Sequence, residues 1–169
     1  NSYFNQKHSR YTIGRISINS NDFSISSYSF DNIENDYNLS HFDMNVTRDA
    51  EYIIPFIKLA IKSVNSVDSS DSGDIGDSAK TKQQLKLVAS PWSPPGWMKR
   101  HTNTNTNTTT NTTNTNSMLG SESPCLRGEP RVQQAWADYL SKFITAYESQ
   151  GVDIWAITPQ NEPEFAAPW

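Results

Sequence analysis

This sequence predicts an α/β fold built on parallel strands, and two observations carry that prediction. Short β-branched runs alternate with longer segments of helical periodicity, in the order strand, helix, strand, helix, strand. That order requires a crossover between successive strands, which sets them parallel in one sheet. A doubly wound sheet and a (β/α)8 barrel both satisfy it, and both place their chemistry in the loops after the C-terminal strand ends.

The first strand is "TIGRISI", Thr12 to Ile18, short and β-branched. After it comes "IPFIKLAIKSV", which puts Ile54, Ile57, Ile61 and Val64 on one helical face, with Pro55 tolerable only near the helix start. The second strand, "LKLVAS" from Leu85 to Ser90, alternates in polarity and halts at Pro91. A clearer helix follows: Pro130 suits a first turn, Val132, Trp136, Tyr139, Leu140, Phe143 and Tyr147 form an apolar stripe, and Gly151 stops it. Those aromatics read as core rather than as a ligand box. "VDIWAITP", Val152 to Pro159, is the third strand.

Two low-complexity segments interrupt this order. Residues 66–84 are rich in Ser, Asp and Gly, and residues 102–116 are an Asn/Thr tract without a hydrophobic side chain. Neither can bury enough apolar surface to order itself, so both read as surface insertions. Asp68, Asp71, Asp74 and Asp77 recur every third residue, whereas a calcium loop places ligands at every second position and closes with Glu. A solvated linker fits that spacing, and a metal site does not.

The 169 residues suffice for one domain, although the abrupt ends read as those of a fragment. A formal charge of −4, from 18 acidic and 14 basic residues without a Lys/Arg block, argues against nucleic acid as a partner. No apolar run reaches the roughly 20 residues that cross a bilayer as a helix. The single Cys125 has no second cysteine in the chain to pair with.

The three loops are the informative part. "NSNDFSISSYSF" follows the first strand with Asp22, "SPWSPPGWMK" spans the end of the second with Trp92 and Trp97, and "QNEPEF" follows the third with Asn161 and Glu162. None has a glycine-rich phosphate cradle. Tryptophans stiffened by Pro91, Pro94 and Pro95, set beside carboxylates, suit a sugar site. An aromatic face covers the C–H face of a pyranose while carboxylates and amides bind its hydroxyls. The plainer alternatives are rim packing for the tryptophans and a solvated loop carboxylate for Glu162.

The stretches "GRISINSNDFSISSYSF", "LVASPWSPPGWMK" and "WAITPQNEPEF" resemble segments of glycoside hydrolase family 30, most closely its lysosomal glucosylceramidase branch. The likeness runs in order from about Tyr11 to Trp169. It implies a (β/α)8 TIM barrel, of which residues 1–169 supply strands two to four and two helices of the catalytic domain. It further implies a retaining mechanism with two carboxylates and no cofactor or metal. In the family pattern Glu162 falls on the general acid/base and Asn161 on the residue that bonds the sugar 2-hydroxyl. Asp22 falls on the Asp that holds glucose hydroxyls, Trp92 on the Trp lining that subsite, and Arg15 on a supporting Arg that orients carboxylates or forms a plain ion pair. The nucleophile of the family lies on a later strand, beyond residue 169, and Glu164 is too close along the loop to replace it.

The resemblance favours β-glucosylceramide as substrate, cleaved to glucose and ceramide. A β-1,6-glucan and a β-xylan are the alternatives within the family. Glycolipid or glucan would be the partner, with a membrane surface or an activator protein as further candidates. A lysosomal or secreted location follows, in keeping with sequons at Asn38, Asn45, Asn107 and Asn111. A different class, a non-catalytic sugar-binding protein with an O-glycosylated Thr tract, is disfavoured by the intact Asn161, Glu162 and Asp22.

Overall fold

A computed structural model describes residues 3–4, 8–65, 85–99 and 126–165. Both low-complexity insertions and the sequons at Asn107 and Asn111 lie outside the described residues. Three parallel strands form one sheet in chain order, β1 (Ile13–Ile18), β2 (Lys86–Pro91) and β3 (Ala156–Ile157). The helices are α1 (Thr47–Glu51), α2 (Ile53–Asn65) and α3 (Pro130–Ser149), with a short 3-10 turn at Gly96–Met98. Two of these were not foreseen: five-residue α1 and the 3-10 turn are too short to show a period. Helix α1 has the apolar Val46 at its N-cap, and Asp43, four residues before Thr47, accepts the Thr47 amide at 2.8 Å.

β1 and β2 pair over six steps without a slip, from Ile13 opposite Lys86 to Ile18 opposite Pro91. The second seam differs. The Trp155 amide donates to Leu87 O, Thr158 to Ala89 O and Asn161 to Pro91 O, so this segment advances three residues for every two on β2. That is a repeated bulge, and it shrinks the expected strand from Val152–Pro159 to two residues. Pro159 helps enforce it, because it has no N–H to give the ladder.

Helix α2 buries Ile54, Ile57, Ala60, Ser63 and Val64; Ile61, expected on that face, is half-buried at its margin. In α3 the buried face is Val132, Ala135, Tyr139, Phe143, Ala146 and Tyr147, with Trp136 and Leu140 flanking it. The helix ends on a Schellman motif: Gly151, at φ +75°, donates to Glu148 O at 2.8 Å, and the Val152 amide reaches Tyr147 O at 3.0 Å.

What α3 packs on is largely the loop between β1 and α1. Phe30 meets Phe143 at 5.8 Å between ring centroids, and Phe42 meets Tyr139 edge-on at 4.9 Å. Each fully buried aromatic of this kind stabilises the fold by roughly 1.5–3 kcal/mol through area alone. Polar ties fix the same interface. The Tyr139 hydroxyl donates to Asn19 Oδ1 and accepts the Phe30 amide at 2.7 Å, while Asp49 accepts from the hydroxyls of both Tyr28 and Tyr147. Burial pushes the Asp49 carboxyl above its ordinary range, against the pull of those two phenol donors. These contacts anchor the loop whose first residues belong to the candidate site.

Candidate active site

Four of the five expected site residues stand on or just after the strand ends. Arg15 projects from the middle of β1, and its guanidinium gathers three segments that are distant in sequence. Its Nε–H donates to Ser90 Oγ at 3.1 Å, its Nη2–H to Asn161 Oδ1 at 2.7 Å, and its plane lies 4.9 Å over the Trp92 ring. Ser90 ends the hydrophobic part of β2, Trp92 follows it, and Asn161 follows β3. Among the described residues Arg15 has no carboxylate partner; its ligands are a hydroxyl and an amide.

The three-for-two advance puts Asn161 within this reach. It is buried, its amide nitrogen donates to Pro91 O at 2.8 Å, and its Oδ1 is taken by Arg15. The side-chain NH2 is thereby left as the end that can donate to a ligand. Gln160 adds a brace from Nε2 to Trp92 O at 2.8 Å, which ties the third loop to the second.

Glu162 comes next and is exposed. Its φ is +47°, the left-handed region, in a residue that directly precedes Pro163. An L-residue there costs about 1–2 kcal/mol relative to ordinary backbone. Such strain held in place beside a pinned neighbour is a pattern found at functional sites.

Asp22 is exposed on the tip of an Asx turn, where Asn21 Oδ1 accepts the Phe23 amide at 2.9 Å. Among the described residues no hydrogen bond or ion pair joins Asp22 to Arg15, Trp92, Asn161 or Glu162. The structure thus brings Arg15, Trp92 and Asn161 into direct contact, leaves Glu162 as the exposed next residue, and holds Asp22 on a separate turn.

The two tryptophans part company. Trp92 is half-buried beneath Arg15, whereas Trp97 is 1 % exposed, donates Nε1–H to Asp31 O at 3.2 Å and meets Tyr37 edge-on at 5.7 Å. Trp97 is a core residue, so the rim-packing alternative holds for it. Ser90 and Thr158 were not singled out from sequence. Single hydroxyls inside strand-like runs carry no pattern, and only the partners reveal them. A cavity of about 260 Å3 opens beside β1 and α2, lined chiefly by Phe4, Ile16, Ile53, Phe56, Ile57 and Leu85. It is mostly apolar and, although Arg15 contributes to its wall, includes none of Trp92, Asn161 or Glu162.

Parallel strands joined by helices, with polar loops gathered beyond their C-terminal ends, are the arrangement of a (β/α) enzyme scaffold. The model of the glycosyl hydrolase family 30 TIM-barrel domain matches residues 1–71 and 73–167, and the chain belongs to that family. It is 38% identical over 166 residues to putative glucosylceramidase 3 of Caenorhabditis elegans, covering 98% of this chain and 25% of that protein. Lysosomal acid glucosylceramidase of Mus musculus is 33% identical over 164 residues, 96% of this chain and 25% of the relative. A shorter stretch of 83 residues, 49% of the chain and 16% of the relative, is 37% identical to endo-1,6-beta-D-glucanase neg1 of Aspergillus fumigatus. Among solved structures, SrfJ from Salmonella typhimurium superposes with a TM-score of 0.70 at 27% identity, over 99% of this chain and 29% of that one. The chain thus spans about a quarter of the length of the curated relatives it matches.

Proposed function

We infer that the protein containing this chain is a retaining β-glycosidase and that Glu162 is its proton donor. One observation carries the reading: Asn161, directly before Glu162, is held by Arg15, which also lies over Trp92, so one strand and two loops distant in sequence converge where the acid stands. In a retaining reaction one carboxyl protonates the leaving oxygen while a second, about 5 Å away, attacks the anomeric carbon. On this reading the Asn161 NH2 donates to the sugar 2-hydroxyl, Trp92 lines the glucose subsite, and Asp22 binds hydroxyls of the nonreducing sugar. Arg15 supports Asn161. The attacking carboxylate comes from a later strand than those described, and the present strands are barrel strands two to four.

The favoured substrate is a β-glucosylceramide, supported by the full-length likeness of this chain to glucosylceramidases. A lysosomal or secreted route goes with it; Asn38 and Asn45, both sequons, are exposed. A membrane surface or an activator protein would then be a partner. A second reading, a β-1,6-glucan, is supported by the similarity to the fungal endo-glucanase. The test is to express the gene product that carries this chain and offer it an aryl β-glucoside, glucosylceramide, β-1,6-glucan and xylan, following the anomer first released by NMR. Release of β-glucose from the ceramide supports the first reading, and cleavage of the glucan alone supports the second. Release of the α-anomer would show inversion and remove the retaining mechanism.

A further inference from the structure

Resting on the reading of Asn161 as the residue that binds the sugar 2-hydroxyl, we propose that Ser90 and Thr158 are positioning residues that set the orientation of the Asn161 amide through Arg15. Ser90 is fully buried on β2, between the strand that carries Arg15 and the loop that carries Asn161. Its Oγ accepts the Arg15 Nε–H at 3.1 Å and meets the Thr158 hydroxyl at 2.8 Å, the shorter of that hydroxyl's two contacts, the other being Gln160 O at 3.3 Å.

The geometry explains why the pair matters. An arginine stem has many rotamers, but its guanidinium is a rigid plane. Fixing Nε, the nitrogen nearest the stem, fixes the direction of the remaining N–H groups. With Nε on Ser90, Nη2 is aimed at Asn161 Oδ1 at 2.7 Å and the plane settles over Trp92. Ser90 alone could turn its lone pairs elsewhere. Thr158 prevents that, because its β-branched side chain has restricted rotamers and its own backbone is pinned by the bond from its N–H to Ala89 O at 2.9 Å. The chain of command runs Thr158, Ser90, Arg15, Asn161, and it ends on the side-chain NH2 that Asn161 has free for a substrate hydroxyl.

The prediction separates positioning from mere packing. In the gene product carrying this chain, kcat/KM is measured for 4-nitrophenyl β-glucoside and for its 2-deoxy analogue, in the parent and in Thr158→Val, Ser90→Ala and Thr158→Ser. Each variant is compared with the parent on the same substrate, so the intrinsic reactivity of the analogue cancels. Misplacing a group by a fraction of an ångström costs on the order of ten- to a hundred-fold, so Thr158→Val and Ser90→Ala should lose that much on the glucoside and less than about threefold on the 2-deoxy analogue. Thr158→Ser, which keeps the hydroxyl, should recover most of the loss. An equal fall on both substrates, or no fall on the glucoside, overturns the proposal while leaving the glycosidase reading intact. A parent that hydrolyses neither substrate, or does not distinguish them, overturns the reading of Asn161 and this inference with it.

Discussion

The two seams of the sheet are built differently, and the difference separates scaffold from site. Between β1 and β2 the ladder runs six residues in step. Between β2 and the third segment only Ala156 and Ile157 pair in step, and the bonds from Trp155, Thr158 and Asn161 slip by one residue from each to the next. A regular ladder alternates its side chains predictably, so the core residues Ile18, Leu87 and Ala89 fall where a period of two places them. The slipping seam abandons that alternation and so carries Asn161 to Pro91 and into reach of Arg15. Regularity holds the sheet together, and the irregular seam aims the polar groups.

The largest expected effect concerns what both seams lack. Each outer strand has an edge without a partner among the described residues, and Ile13 of β1, Ile157 of β3 and Phe56 and Leu59 of α2 are exposed. Residues 1–169 produced alone should therefore show no cooperative urea transition and no turnover of an aryl glucoside. A sharp transition would break the idea that the two seams need further strands.

Next in size is Glu162→Gln in the gene product, which tests the proposal that the chemistry sits on the slipping seam. Loss of a general acid costs about 10²–10⁴-fold, and the loss should appear with poor leaving groups and shrink with 2,4-dinitrophenol, which leaves without a proton. Undiminished glucosylceramide hydrolysis would remove Glu162 from its role.

The loop after the regular seam should show a pH dependence of its own. Asp31 is 1 % exposed, its Oδ2 has no hydrogen-bond partner among the described residues, and burial, then the nearby Asp36, raise its carboxyl from 3.8 to about 6 against the pull of the Ile33 amide. Asp36 moves the other way: its own burial is outweighed by the backbone N–H groups of His41 and Ser40, which hold it below its usual range. For Asp31 the folded chain keeps a proton that the unfolded chain has released between those two values. Stability should thus fall as pH rises from about 4 to about 6 and then level off. Asp36 acts in the opposite sense, withdrawing stability as pH drops below its ordinary value. Urea midpoints of the gene product carrying this chain should differ between pH 4.5 and 7, and Asp31→Asn should reduce the difference, leaving the share of Asp49, whose carboxyl burial also raises; a variant with the parent's slope would show that Asp31 is not a source of it.

The smallest effect is at Gly151, which lets the chain leave α3 for the slipping seam. Nothing lies within 4 Å of a Cβ added there, so Gly151→Ala should cost only the left-handed backbone penalty, about 1 kcal/mol, read as a lowered urea midpoint. A loss of several kcal/mol would mean the turn does more than stop a helix.

Much of this was legible in the residues. The order of strands and of the two long helices, the Gly151 stop and the α3 stripe all follow from period and punctuation. Trp92, Asn161 and Glu162 were marked by their places after strand ends and by resemblance, and Arg15 by resemblance alone. The shortness of β3 was not legible, since β-branched residues in "VDIWAITP" fit a strand equally well whether or not the register slips. Nor could composition tell Trp92 from Trp97, because which of them is half-buried under Arg15 and which is sealed in the core beside Tyr37 depends on partners that only the fold supplies. Ser90 and Thr158 are ordinary residues until their hydroxyls are seen to meet.

The Asp49 carboxylate, shared by Tyr28 and Tyr147, also sets an order of events during synthesis. Tyr147 lies 98 residues downstream of Asp49. At roughly 5–20 residues per second, a ribosome needs about 5–20 s to bring the second phenol into existence after the acid has emerged. For that interval the loop from Asn19 to Asp49 lacks Tyr139, Phe143 and Tyr147, and Phe30 and Phe42 have nothing of α3 to pack against. The nascent chain therefore carries a waiting aromatic surface, and the first half of the site takes its final form only once the last turn of α3 has been translated.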